Sequence, residues 1–297
     1  MSRRPDGPHR EPPERAGRPL LAAVRPATAP ERLRVYGVHP GGLAATVWSG
    51  LADHLPADVG LSVLDLQNVP EYFAAALTGG TPTITLPELA GRALAELAAD
   101  RPAGTPIVLV GWSFGGVVAY EMSRVAEPER LVLLDSIAPT DDFKRTDDLL
   151  DPPLLIRWFA MYLAAKRGRP LTAEPGIDAP TTEAGLAAVL AETTARGVLP
   201  PGTEPAGLRK LYDSYAAGLS RNNHLVLPYA PPPTDRPLVL VKPERGLLPE
   251  YDDLGWRELA PVTVVPAPGD HYSILSDPSA WAVVADQVST PPASAAA

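Results

Sequence analysis

Apolar positions in this chain fall into short continuous runs separated by stretches of helical period, the pattern of a parallel sheet covered by helices. Arg34 to Val38 and Leu61 to Leu66 read as strands, with a helix near Thr46 to Leu55 between them. Thr85 then stands at the cap of a helix whose Leu86, Leu89, Ala90, Leu94 and Leu97 share one face. Glu88 lies three residues past that cap and Pro87 in the first turn, both favourable to a helix start. Pro106 to Val110 (PIVLV) is rich in β-branched residues and predicts a buried strand, as does Leu131 to Leu134 (LVLL). Gly115 to Ala126 between them predicts a helix, which completes a βαβ unit.

From Asp141 to Pro228 the pattern turns to helices alone: Leu154 to Lys166, Thr182 to Arg196 and Leu208 to Arg221, joined by loops bearing Pro and Gly. A connection between neighbouring elements of such a sheet needs only roughly two to six residues. Residues 141–228 therefore read as an inserted helical lid. Its first helix carries Trp158, Phe159 and Tyr162 on a stripe of three- and four-residue spacing, and Trp158, Phe159 or Tyr162 is expected to line a channel beneath the lid as well as pack on the sheet. Strands resume at Leu238 to Val241 (LVLV) and Val262 to Val265 (VTVV), followed by a last helix over about Ser279 to Val288. Residues 31–140 and 229–290 make the α/β core. Residues 1–30, a mixture of Pro, Arg, Glu and Gly without period, read as a flexible arm, and the Ala-rich 291–297 as a frayed tail.

Composition narrows the function. The chain has 297 residues with 45% hydrophobic and 21% charged, enough to bury a sizeable core, and its 37 prolines exceed the usual share. The net charge of −9 hides an asymmetry: residues 1–34 hold eight arginines against four acids, and the remainder holds 18 cations against 31 carboxylates. A folded part so acidic is a poor general binder of nucleic acid or of an anionic membrane. No uncharged apolar run approaches the ~18 residues of a membrane span, and the start lacks the apolar stretch of a signal peptide, so the cytoplasm is expected. With no cysteine, a covalent nucleophile must be oxygen or amine, and thiolate-held metals are excluded.

The sharpest feature is Gly111-Trp112-Ser113-Phe114-Gly115-Gly116, set between the strand PIVLV and a helix. It fits G-x-S-x-G, in which glycines two before and two after a serine permit a strained strand-to-helix turn that lifts the hydroxyl above the sheet. The free N–H groups of the new helix would face charge developing there. A serine at its normal pKa needs a base, and the base an orienting carboxylate, in the chain order Ser, Asp/Glu, His. Of the two histidines after Ser113, His271 lies in Pro-Gly-Asp-His-Tyr directly beyond VTVV, whereas His224 ends a helix where a solvated side chain is the plainer reading. For the acid, Asp135 follows LVLL at once, with Asp252 and Asp253 beyond LVLV as the alternative; Asp270 adjoins His271, but adjacent side chains usually point apart. His39-Pro40-Gly41-Gly42 after the first strand offers backbone N–H groups for the second half of an oxyanion hole, the first half being the N–H of Phe114.

On these residues the chain resembles the thioesterase domains that unload nonribosomal peptide synthetases and polyketide synthases. The resemblance runs from about Leu33 to Val288 and rests on RVYGVHPGG, VLVGWSFGGVVAYEMSR with LVLLDS after it, and LGWRELAPVTVVPAPGDHYSIL. It implies an α/β-hydrolase fold with a mostly parallel central sheet and a helical lid. It implies Ser113 as nucleophile, Asp135 as acid, His271 as base, and the Gly41 and Phe114 amides as the oxyanion hole. It further implies an acyl or peptidyl carrier protein as partner, the acyl chain riding on its phosphopantetheine arm, with no bound cofactor or metal needed. An editing thioesterase, a general ester or amide hydrolase and a non-catalytic binding protein of the same fold are the alternatives. The intact serine, aspartate and histidine speak against the last, and the GWSFGG elbow resembles release domains more than editing ones.

Overall fold

The structure, a computed structural model, describes residues 18–78, 81–146, 151–169 and 179–289. Seven strands form one sheet: β1 (Leu21–Arg25), β2 (Leu33–His39), β3 (Val59–Asp65), β4 (Ile107–Trp112), β5 (Arg130–Leu134), β6 (Leu238–Arg245) and β7 (Val262–Asp270). They lie in the order β1-β3-β2-β4-β5-β6-β7, all parallel except the edge strand β1. The sheet and its helical cover are those of the α/β-hydrolase fold expected from the motifs.

The continuous apolar runs follow from burial on both faces. Along β4, Val108, Val110 and Trp112 enter one core, while Ile107 and Leu109 enter the other. The first core also takes α1 (Ser49–Ala52) and α8 (Pro278–Ser289); the second takes α2 (Pro70–Thr78), α3 (Leu86–Asp100) and α4 (Phe114–Ala126). The capping box of α3 forms as read: Thr85 Oγ1 accepts from Glu88 N, and Thr85 N donates to the Glu88 carboxylate at 2.8 Å. The helix expected over Thr46 to Leu55 is instead a 3-10 turn, Ala45–Trp48, running into the short α1.

The reading of residues 1–30 as an arm needs correction, because Leu21–Arg25 pairs antiparallel with β3. Partly exposed along its length and flanked by prolines, the strand shows no period, as suits a sheet edge. Arg25 anchors it by donating to Ala52 O and Leu55 O at 2.9 and 2.7 Å. Residues 1–17 and the expected tail 291–297 lie outside the described residues.

Between β5 and β6 stand α5 (Pro152–Lys166), α6 (Thr182–Ala195) and α7 (Pro205–Val226), the three helices expected of the insertion; its residues 147–150 and 170–178 lie outside the described ones. Among the described residues no helix is long and apolar enough to cross a membrane.

Candidate active site

Strands β2 to β7 run the same way, so the loops after β2, β4, β5 and β7 meet at one edge of the sheet. The chain steps from β2 outward to β3 and then back across to β4, which makes the β2–β4 boundary the topological switch point where α/β sheets open a crevice. His39-Pro40-Gly41-Gly42 and Ser113 flank that boundary.

Ser113 has φ 55° and ψ −129°, a backbone region that L-residues avoid. The flanking glycines permit it. A Cβ on Gly111 would strike Gly116 Cα and Gly115 O, and one on Gly115 would strike Val38 O. The turn is tied down by Ser113 N to Leu134 O at 3.0 Å and Gly116 N to Ser113 O at 2.9 Å. Phe114 opens α4, so its N–H is among those without a partner inside the helix.

Asp135 also has a left-handed backbone, φ 42°, and is fully buried. Its N–H donates to Val241 O at 3.0 Å, so β6 fixes the residue's position. Its Oδ2 accepts two hydrogen bonds, from His271 Nδ1 at 2.7 Å and from Leu247 N at 2.9 Å. Asp135 and His271 are thus brought together across 136 residues of sequence. The alternatives are placed elsewhere: Asp253 accepts from Gly255 N and lies 3.5 Å from Arg257, Asp252 is exposed, and His224 bonds Ser220 O within its own helix at 2.9 Å. Asp270 shapes the loop instead, its Oδ1 accepting from Tyr272 N and Ser273 N at 2.9 and 2.8 Å.

Trp112, the residue before the serine, holds the histidine. Its indole donates from Nε1 to His271 O at 2.9 Å, and its ring stacks on His271 with centroids 5.1 Å apart. On its other flank Trp112 stacks on His39 at 5.6 Å. His39 is fully buried, accepts at Nδ1 from Trp48 Nε1 and uses Nε2 toward Leu43 O, and burial lowers its pKa. It is a neutral structural histidine beneath the site.

Ser113 and His271 line one cavity of about 340 Å³, with Gly41, Gly42 and Gln67 on one side and α5 and α7 on another. Ser113 also borders a second cavity of about 160 Å³ lined by Phe114, Val117, Phe143 and Val226. Of the three residues of the α5 stripe, Trp158 and Tyr162 line the larger cavity and Phe159 does not. Phe159 is fully buried and packs on Tyr162, Tyr212 and Tyr215, because the stripe is wide enough for one edge to face the neighbouring helix rather than the cavity. Sequence reasoning also passed over Gln67, Tyr215 and Arg221. A Tyr stripe on α7 with Leu208, Tyr212, Tyr215 and Leu219 at three- and four-residue steps is the signal that marks one of them. Among the described residues no cluster of three or more His, Asp or Glu side chains is placed to hold a metal ion.

A serine on a strained elbow, a buried Asp–His pair and a glycine loop at the switch point thus stand at one edge of an α/β-hydrolase sheet. The comparisons are narrower. Residues 34–164 match the family model of the thioesterase domain. A four-domain nonribosomal peptide synthetase crystallised with AMP and glycine, holo-AB3403, is similar at 30% identity with a TM-score of 0.59, over 90% of this chain and 20% of that one. The NocB thioesterase domain from the nocardicin cluster is similar at 25% identity with a TM-score of 0.53, over 90% of this chain and 96% of that one. A pimeloyl-[acyl-carrier protein] methyl ester esterase of Aeromonas salmonicida (strain A449) is 32% identical over 111 residues, 37% of this chain and 39% of its own length. The chain therefore spans about two fifths of that curated relative and one fifth of the synthetase. The matches bear out the resemblance to thioesterase domains and to a nonribosomal peptide synthetase.

Proposed function

We propose that this chain is a serine thioesterase that releases an acyl, peptidyl or polyketide chain from the phosphopantetheine thioester of a carrier protein. The observation that carries the reading is the convergence of Ser113 and the Asp135-bound His271 on one cavity. With its proton on Nδ1, bonded to Asp135, His271 is left with Nε2 as the basic nitrogen. It takes the Ser113 proton as Oγ attacks the thioester carbonyl, a contact that is often looser in the free enzyme than in the substrate complex. The tetrahedral oxyanion receives the N–H groups of Phe114 and Gly41. Its collapse breaks the C–S bond, returns the proton from His271 to the departing sulfur, and leaves an ester on Ser113. Water, or an amine or hydroxyl of the chain itself, then attacks the ester with His271 again as base, giving hydrolysis or cyclisation. Asp135 stabilises the imidazolium in both halves. The carrier protein is the partner this requires, and the residues assigned need no cofactor.

The likeness at 30% identity to a nonribosomal peptide synthetase supports release over editing of misloaded carriers. A second reading, an oxygen-ester hydrolase acting on carrier-bound chains, draws support from the curated esterase relative. Matched acyl N-acetylcysteamine thioesters and oxygen esters, assayed with intact-protein mass spectrometry, test the assignment. The expected result is an acyl adduct on Ser113, faster turnover of the thioesters and no turnover by Ser113→Ala. An adduct elsewhere, or an alanine variant at the wild-type rate, overturns it; a preference for the oxygen esters transfers the assignment to the second reading.

A further inference from the structure

Two cations, Arg221 of α7 and Lys166 of α5, line the cavity over Ser113, and among the described residues no aspartate or glutamate does. In a chain of net charge −9 this local reversal of sign singles the cavity out. Arg221 is only 6% exposed. Its guanidinium lies over the Tyr72 ring, 3.6 Å from the centroid, with Nη2 donating to Tyr72 Oη at 2.7 Å and to Asn222 Oδ1 at 3.0 Å, and Nε donating to Asn222 Oδ1 at 3.1 Å. Each acceptor is neutral. Among the described residues no carboxylate pairs with Arg221, and Nη1 makes no hydrogen bond. Burial correspondingly lowers the pKa of the guanidinium, with only Tyr72 opposing the shift. Lys166 reaches the same cavity, its Nζ donating to Tyr162 Oη at 2.7 Å, again a neutral partner.

A buried guanidinium with no counter-charge is costly to keep. Tyr72 and Asn222 hold its plane in place but leave donors unused, an arrangement suited to the planar, charge-assisted recognition of a carboxylate or phosphate. We propose that Arg221, assisted by Lys166, is an anion subsite of this cavity that selects substrates bearing a carboxylate or phosphate group. The proposal deepens the thioesterase reading and rests on it. The anion has two possible sources, the acyl chain itself and the phosphate of the carrier arm, which share the chemistry read by the guanidinium.

The experiment compares kcat/KM for paired substrates that differ only in the anion. One arm uses N-acetylcysteamine half-thioesters of a straight-chain dicarboxylic acid against their neutral primary amides. The other uses one neutral acyl group on phosphopantetheine against the same group on pantetheine. The expected result is a preference for the anionic member in at least one arm, which names the source, and a fall in that ratio of about 10- to 100-fold in Arg221→Gln. Arg221→Lys retains part of the ratio, and Lys166→Met lowers it less. If Arg221→Gln slows both members equally and leaves the ratio unchanged, the residue only ties α7 to α2 and the proposal is overturned. Should Arg221→Gln not fold, the Lys166→Met ratio decides alone: a fall supports the subsite and an unchanged ratio overturns it. If wild type turns over no thioester, the thioesterase reading fails separately. Fluorescence of Trp112 and Trp158, both lining the cavity, then reads binding of free dicarboxylate and of inorganic phosphate. Saturable binding weakened at least tenfold by Arg221→Gln supports the subsite; absent or unaltered binding overturns it.

Discussion

Replacing Asp135 with asparagine changes one atom where the structure leaves no neutral way to absorb it. Asp135 Oδ2 accepts from both His271 Nδ1 and Leu247 N, while Oδ1 is buried with no hydrogen-bond partner, against Gly246, where even an added Cβ would come within 2.6 Å. If the asparagine oxygen takes the Oδ2 place, its NH2 is buried beside Gly246 without an acceptor, which costs about 1–3 kcal/mol of stability. If the amide turns over, its N–H groups face Leu247 N–H, and His271 must accept at Nδ1 and carry its proton on Nε2, the nitrogen that has to take the serine proton. Either way the anion that stabilises the imidazolium is gone. Loss of the correct tautomer and charge in a triad lowers kcat by on the order of 10⁴, equivalent to about 5 kcal/mol of barrier. The assay is single-turnover release from an N-acetylcysteamine thioester, alongside urea unfolding to measure the stability loss. A folded Asp135→Asn protein within tenfold of the wild-type kcat would refute the argument. So would a crippling Asp253→Asn with Asp135→Asn silent.

Ser113→Gly should abolish turnover and yet raise stability by about 1 kcal/mol, because relief of a disfavoured backbone, worth roughly 1–3 kcal/mol, outweighs the entropy cost of an added glycine; a lower urea midpoint than wild type would contradict this. Phe159→Ala should lose about 3–5 kcal/mol, as expected for an aromatic removed from a packed core, whereas Tyr162→Ala, buried but bordering the cavity, should lose less and shift acyl-chain preference. A substrate survey that finds both variants equally stable and equally altered in preference would break this division of the stripe. Burial lowers the pKa of His39, so below its ordinary 6.5 the unfolded chain binds a proton that the native state refuses. Stability should therefore fall as pH drops below about 6.5, with a limiting slope of about 1.4 kcal/mol per pH unit from this group. Urea midpoints between pH 5 and 7 should show a steeper acid limb in wild type than in His39→Gln, and equal limbs would exclude the histidine as the cause.

Much of this protein is written locally. β4 and the LVLL of β5 show as continuous apolar runs because both faces of the sheet are buried, and Thr85 with Glu88 marks the start of α3 because a capping box closes within four residues. The elbow at Ser113 is local where Gly111 answers to backbone atoms of Gly115 and Gly116, and tertiary where Gly115 answers to Val38 O of β2. Other features depend on partners far away in the chain. β1 exists because β3 supplies its hydrogen bonds, and α2, half exposed, because Tyr72 reaches the second core. The pairing of His271 with Asp135, in preference to Asp252 or Asp253, is decided by Val241 O and Leu247 N, which lie on and just after β6. Which edge of the α5 stripe meets the cavity, and that Arg221 is buried there without a counter-charge, depend on how α5 and α7 pack over the sheet. Sequence period and backbone sterics determine what a segment can form and where a strained turn can stand. The burial of one side chain against another, hundreds of atoms away along the chain, is settled only when the sheet order brings their loops to the same edge.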